Sequence, residues 1–104
     1  MDGCVFCKII NREIDSEIIF ENDNIIVIKD INPKAPVHLL IIPKKHIKSV
    51  KELQDNDKEL MGELILAAKN IGKEKNLEGY KLVFNVGRKA GQIIDHIHMH
   101  LLSN

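Results

Sequence analysis

The sequence predicts an α+β fold, a five-stranded antiparallel sheet with one long helix and a short N-terminal helix. Five runs are rich in β-branched and aliphatic residues, and most are joined by short turns, which favours antiparallel neighbours. A single stretch repeats its apolar residues at helical spacing. Asn, Pro and Gly clusters fall between these segments rather than inside them.

The elements follow in chain order. Residues 6–11 suit a short helical turn. Residues 17–21 and 25–29 read as strands separated by Asn22-Asp23-Asn24, a hairpin turn. Ile31-Asn32-Pro33-Lys34-Ala35-Pro36 is a loop, because each proline pushes its predecessor out of the helical region. Residues 37–42 make a third strand, stopped at Pro43. The long helix spans residues 56–75: Leu60, Leu64, Ala67, Ala68 and Ile71 share one face, with Met61 and Ile65 beside them. Asn56 followed by Glu59 is a candidate capping box at its start. Gly79 closes the next turn, residues 80–86 form a fourth strand, residues 87–92 a glycine-bearing loop, and residues 94–102 the fifth strand.

A length of 104 residues fits one domain, residues 1–104, with neither repeat nor linker. Fifteen basic residues balance fifteen acidic ones, so no net field favours nucleic acid or a membrane surface. The opening Met1-Asp2-Gly3-Cys4 lacks the basic flank and apolar run of a signal peptide. The aliphatic runs at 25–28 and 39–42 are far too short for a membrane span. A cytoplasmic location is expected, and there Cys4 and Cys7, spaced C-x-x-C, point to metal or redox chemistry rather than a structural disulfide.

The chemistry is concentrated in the histidines. Of five, three alternate in His96-Ile97-His98-Met99-His100. On a strand these imidazoles would share one face, with Ile97, Met99 and Leu101 on the other. Three imidazoles are costly to bury together without partners, and a merely solvated face would draw on Lys, Thr and Glu instead. Two chemistries can use such a face: a three-histidine metal site, or nucleophilic attack by imidazole. The preceding Gly87-Arg88-Lys89-Ala90-Gly91-Gln92 offers backbone N–H donors of the kind that suit phosphate oxygens.

The chain resembles the histidine triad (HIT) family, in particular its Hint-like branch of nucleoside phosphoramidases. The resemblance runs from Cys4 to Leu102. It is carried by Asp30-Ile31-Asn32-Pro33-Lys34-Ala35-Pro36-Val37-His38, by Ile42-Pro43-Lys44-Lys45-His46-Ile47, by Asn85-Val86-Gly87, by Gly91-Gln92 and by the alternating histidines.

The resemblance implies a hydrolase that cleaves purine nucleoside 5′-phosphoramidates, and a homodimer in which one antiparallel sheet continues across the subunits. It makes His98 the nucleophile, attacking the α-phosphorus to give a nucleotidyl-imidazole that water then hydrolyses. His100 and Asn85 match positions that contact the phosphate, and Gly91 and Gln92 lie on the loop beside it. His38 matches a position that orients the triad, and Asp30 the residue that grips the ribose hydroxyls. In bacterial-type relatives a C-x-x-C and two histidines hold zinc. The matching set here is Cys4, Cys7, His46 and His96, a closed and therefore structural site. No organic cofactor is implied.

The chain departs from the family pattern in two places. Where the family usually has Ser or Thr after Gly-Gln, it has Ile93, which removes one hydroxyl donor worth roughly 1.5–3 kcal/mol to a charged phosphate. The sequence also ends at Asn104, without the glycine-containing Trp-Pro tail common in Hint-like relatives. Two rival functions are a dinucleoside polyphosphate hydrolase and a zinc-stabilised nucleotide-binding module with little catalysis. A third is a metal-dependent hydrolase that uses the triad as ligands. Independently of the resemblance, strand 80–86 and helix 56–75 carry more apolar surface than one sheet face needs, which also favours a homodimer.

Overall fold

The computed structural model describes residues 3–104; Met1 and Asp2, part of the leader reading, lie outside the described residues. The short helix α1 covers Val5–Ile10, followed by β1 (Ile18–Glu21), β2 (Ile25–Lys29) and β3 (Val37–Pro43). The long helix α2 is Lys58–Glu74, and β4 (Lys81–Val83) and β5 (Met99–Ser103) complete the sheet. The spatial order is β1-β2-β3-β5-β4, with every pair antiparallel.

The unbroken aliphatic runs of β2 and β3 are explained by their central place, where both faces are covered. Ile25, Val27, Leu39, Ile41, Met99 and Leu101 pack beneath Leu64, Ala68 and Ile71 of α2. Ile26, Ile28, Leu40 and Ile42 meet Cys4, Phe6 and Ile9 on the opposite face. The six-residue α1 thus seals a second apolar layer, and the histidines lie on its side of the sheet. Among the described residues, no helix is long and apolar enough to cross a membrane.

The expected architecture is present; the short helix and the first strand differ by one residue at their ends, and four further boundaries differ for physical reasons. The fifth strand is Met99–Ser103 rather than 94–102. The β3–β5 pairing ends at Ile41 and Met99, beyond which β3 pairs with β2 alone, and β4 ends opposite His100, so only isolated bonds, such as the Ile97 N–H to the Ile47 carbonyl at 2.7 Å, hold the preceding segment. The fourth strand is three residues rather than 80–86, because Phe84 turns into the α2 core and Asn85 turns towards His100. Pro43 does not stop β3 but is its last residue, paired with Ile25.

The fourth correction concerns the start of α2. The capping box is formed by Gln54 and Asp57, two residues before the expected Asn56 and Glu59, and is closed by the Gln54 N–H donating to Asp57 at 2.9 Å. A 3₁₀ turn at Asp55–Asp57 feeds the helix, and Lys45 Nζ, 2.6 Å away, holds the Asp57 carboxyl below its ordinary range. A glutamine at the cap falls outside the Ser/Thr/Asp/Asn pattern by which such starts are read.

Candidate functional site

Sheet register places the first two members of the site. His100 lies opposite Leu40 and His38 opposite Leu102, so the two histidines are diagonal neighbours on the α1 side of β5 and β3. His38 Nε2 is 2.9 Å from His100 Nδ1 and 3.4 Å from Asp30 Oδ2. The Lys34 N–H donates to His38 Nδ1 at 3.0 Å, which requires a lone pair there. The hydrogen of neutral His38 is therefore on Nε2, which donates to His100 Nδ1 and faces the Asp30 carboxylate. His100 must in turn carry its hydrogen on Nε2, directed away from His38. Asp30, His38 and His100 have the composition and closeness of a metal site. The bonded Nδ1 of His38 makes them a hydrogen-bonded relay instead.

His98 precedes the regular strand and is 9% exposed. Its Nδ1–H donates to the His96 carbonyl at 2.8 Å, since a carbonyl can only accept. The lone pair of the neutral ring is left on Nε2. Burial lowers the pKa of His98 below the ordinary histidine value, opposed by its hydrogen bond and by the Asp30 charge. His100 is pushed down to about 4, first by burial and then by the neighbouring His98 and His38. Both rings are neutral at pH 7, with hydrogens on opposite nitrogens: His98 presents a base, His100 a donor.

His96 belongs to a different group. Its Nε2–H donates to the Pro43 carbonyl at 2.8 Å, so Nδ1 carries the lone pair. That Nδ1 lies 3.3 Å from Cys4 Sγ, 3.6 Å from Cys7 Sγ and 3.1 Å from His46 Nδ1, while Cys7 Sγ and His46 Nδ1 are 3.3 Å apart. Two thiols and two imidazoles thus converge and could hold a metal ion. Tetrahedral zinc with sulfur at about 2.3 Å and nitrogen at about 2.0–2.1 Å sets its ligands roughly 3.3–3.8 Å apart, close to this spacing. The Pro43 bond fixes the ligating tautomer of His96 in the manner of an outer-shell partner. Without a cation, burial pushes Cys7 up to about 11 and His96 down to about 4, leaving a neutral cluster that a metal must deprotonate. With both nitrogens of His96 engaged, the three histidines of the motif do not converge on a common metal.

The structure brings Asn85 to the site as well, its Nδ2 3.4 Å from His100 Nε2, so that two donors stand side by side rather than bonded to each other. The loop at 87–92 differs from the expectation of free backbone donors. Gly87 N–H donates to Gln92 Oε1, and the amides of Ala90, Gly91 and Gln92 donate to loop carbonyls. Gln92, only 4% exposed, also donates from Nε2 to the Lys48 and Ile94 carbonyls. Its side chain organises the loop. Gly91 is left-handed, with φ 94°, a conformation that a Cβ would strain. Helical patterning alone does not single out Phe6, whose ring packs edge-on against both His96 and His98. Its place between the two cysteines was the available clue.

Comparison with known proteins agrees with this geometry. The family model described as "Scavenger mRNA decapping enzyme C-term binding" matches residues 3–104. HitA of Neisseria gonorrhoeae is 39% identical over 103 residues, 98% of this chain and 96% of that protein. A HIT family hydrolase from Legionella pneumophila Philadelphia 1 superposes with a TM-score of 0.96 at 46% identity, covering 98% of this chain and 93% of that one. A HIT family hydrolase from Clostridium thermocellum also gives 0.96, at 45% identity, covering 100% and 92%.

Proposed function

The chain belongs to the histidine triad family, and from that premise we propose that it is a nucleotide hydrolase acting on purine nucleoside 5′-phosphoramidates through a nucleotidyl-His98 intermediate. The observation that carries the reading is the Nδ1–H of His98 bonded to the His96 carbonyl, which leaves a neutral ring with its lone pair on Nε2. Neutral imidazole is a competent nucleophile near pH 7 and a fair leaving group once phosphorylated. Nε2 forms the bond to the α-phosphorus as the P–N bond breaks, and the departing amine takes a proton from solvent, which the hydrolytic step returns. Water then attacks the same phosphorus, releasing the nucleoside monophosphate and restoring His98.

The other residues act by placement. The Nε2–H of His100 and the amide of Asn85 hold phosphate oxygens as charge grows on them. His38 keeps the His100 hydrogen on the correct nitrogen. Asp30 Oδ1 accepts the Asn32 N–H at 2.8 Å, so Oδ2 is the oxygen that serves a ribose hydroxyl. Gly91 and Gln92 shape the loop beside the phosphate. Cys4, Cys7, His46 and His96 hold structural zinc, which ties the N-terminal segment to the triad segment. The exposed Leu82 on the edge strand β4 and Tyr80 just before it support a homodimer formed along that edge.

The test is a single turnover of AMP phosphoramidate labelled at phosphorus. Acid-labile label on His98, lost on further incubation, is expected. Full activity in His98→Ala, or no labelled protein during a rapid single turnover, overturns the reading. Faster turnover of a diadenosine polyphosphate than of the phosphoramidate would reassign the substrate while keeping the nucleophile.

A further inference from the structure

Phe6 lies between the two cysteines in sequence and between two histidines in space. It is 3% exposed, and its ring centroid is 5.8 Å from His96 at 89° and 5.0 Å from His98 at 65°. Both are edge contacts of the kind aromatic rings favour. The helix that carries it has six residues, too few to persist without tertiary support. Part of that support is apolar, from Phe6 and Ile9 against the sheet. The rest comes from the cluster: Cys4 Sγ accepts the Cys7 N–H at 3.4 Å, and each sulfur lies 3.3 Å from an imidazole nitrogen of His96 or His46.

Apart from Phe6, His98 is held by one hydrogen bond from Nδ1 and by the His100 ring, 5.0 Å away and tilted by 59°. The hydrogen bond alone leaves the ring able to rock about its axis; the two packed rings restrict that motion, and of the two it is Phe6 that sits on the helix held by the cluster. We infer that Phe6 is a positioning residue through which the metal cluster fixes the attack angle of His98. With a cation in the cluster, α1 is clamped and the Phe6 ring is a rigid wall against His98. Without it, α1 loosens and the wall recedes. The catalytic consequence rests on the reading of His98 as nucleophile; the mechanical coupling does not.

Histidine-ring NMR of the zinc-loaded protein, titrated with a chelator, separates the two. Chelation is expected to move the His98 ring resonances, and Phe6→Leu in the loaded protein to move them in the same sense. Chelation of Phe6→Leu should then move them little further. With AMP phosphoramidate, Phe6→Leu should lower kcat by about ten- to a hundredfold with KM nearly unchanged, as expected when a reacting atom is slightly misplaced. Cys7→Ser and Phe6→Leu should be non-additive in kcat, because they break one linkage. His98 resonances indifferent to chelation overturn the proposal, as does a raised KM at unchanged kcat, which would make Phe6 a substrate contact. If Phe6→Leu fails to fold, Phe6→Met replaces it in the same titration, because the His96 carbonyl also touches His98 and only a change at Phe6 separates the two routes. Absence of label on His98 would remove the nucleophile and leave the NMR coupling standing.

Discussion

His38 Nε2 lies 2.9 Å from His100 Nδ1, and the Lys34 N–H on the far side of His38 determines which of the two carries the hydrogen. Because that amide occupies the Nδ1 lone pair of His38, the relay can run in only one sense, from His38 Nε2–H to His100 Nδ1. The His96 carbonyl fixes His98 in the opposite sense.

The first prediction is that neighbouring triad members are opposite tautomers. Nitrogen-15 NMR at neutral pH should show His98 protonated on Nδ1 and His100 protonated on Nε2. In His38→Ala, His100 loses the donor at Nδ1 and should become a mixture. Its Nε2 would then partly face phosphate with a lone pair, and kcat/KM should fall by roughly ten- to a hundredfold, the worth of one hydrogen bond to a charged group. An unchanged His100 tautomer in that variant would show that the relay does not set it.

The second prediction concerns pH. Burial lowers the pKa of His98, and that of His100 to about 4 from an ordinary 6.5. A lowered pKa keeps a nucleophilic imidazole unprotonated further into acid, so the acid limb of kcat/KM should lie below pH 6.5. The same shifts work against stability. As pH drops through 6.5 the unfolded chain takes up protons that folded His98 and His100 refuse, so stability should fall between 6.5 and about 4. Urea midpoints at successive pH values measure this; midpoints that rise on acidification would contradict it.

Much of this was legible in the sequence, and the exceptions share a cause. Alternation of His96, His98 and His100 predicted a common strand face, and the three do lie on the α1 side. Alternation cannot report that partners end. The β3–β5 ladder ends at the Ile41–Met99 pair and β4 ends at Val83, so His96 and His98 lie outside the ladder and His96 joins Cys4, Cys7 and His46. That divergence argues against a single metal site shared by the three histidines, one of the two alternatives that spacing left open. Gln92 shows the opposite limit. Its position was identified through the family likeness, but its bonds to Gly87, Lys48 and Ile94 depend on a tertiary path no local pattern encodes.

The third prediction follows from those bonds. Gln92→Ala leaves the half-buried Gly87 N–H and two carbonyls without their side-chain partner, so it should destabilise the protein by about 1–3 kcal/mol in denaturant melts. A residue whose side chain served only the phosphate would lower activity and leave stability near that of the unmodified protein. A melt unchanged by Gln92→Ala would return the side chain to substrate binding.

The last prediction separates two histidines that stand two residues apart. His98→Ala removes the attacking nitrogen but touches none of Cys4, Cys7, His46 or the His96 ring. Metal content and melting temperature should be nearly unchanged, while turnover falls by several orders of magnitude, because the two-step route itself is gone. His96→Ala keeps the attacking ring and removes one of four converging donors, together with the bond to the Pro43 carbonyl. Zinc should be lost, the melting temperature should drop, and activity should decline only in part as the N-terminal helix loosens. Metal analysis, thermal melting and single-turnover chemistry on both variants decide. Zinc lost from His98→Ala and kept in His96→Ala would invert the assignment. Metal-replete protein that holds no zinc would remove the metal centre and leave His98 chemistry to be judged by its label alone.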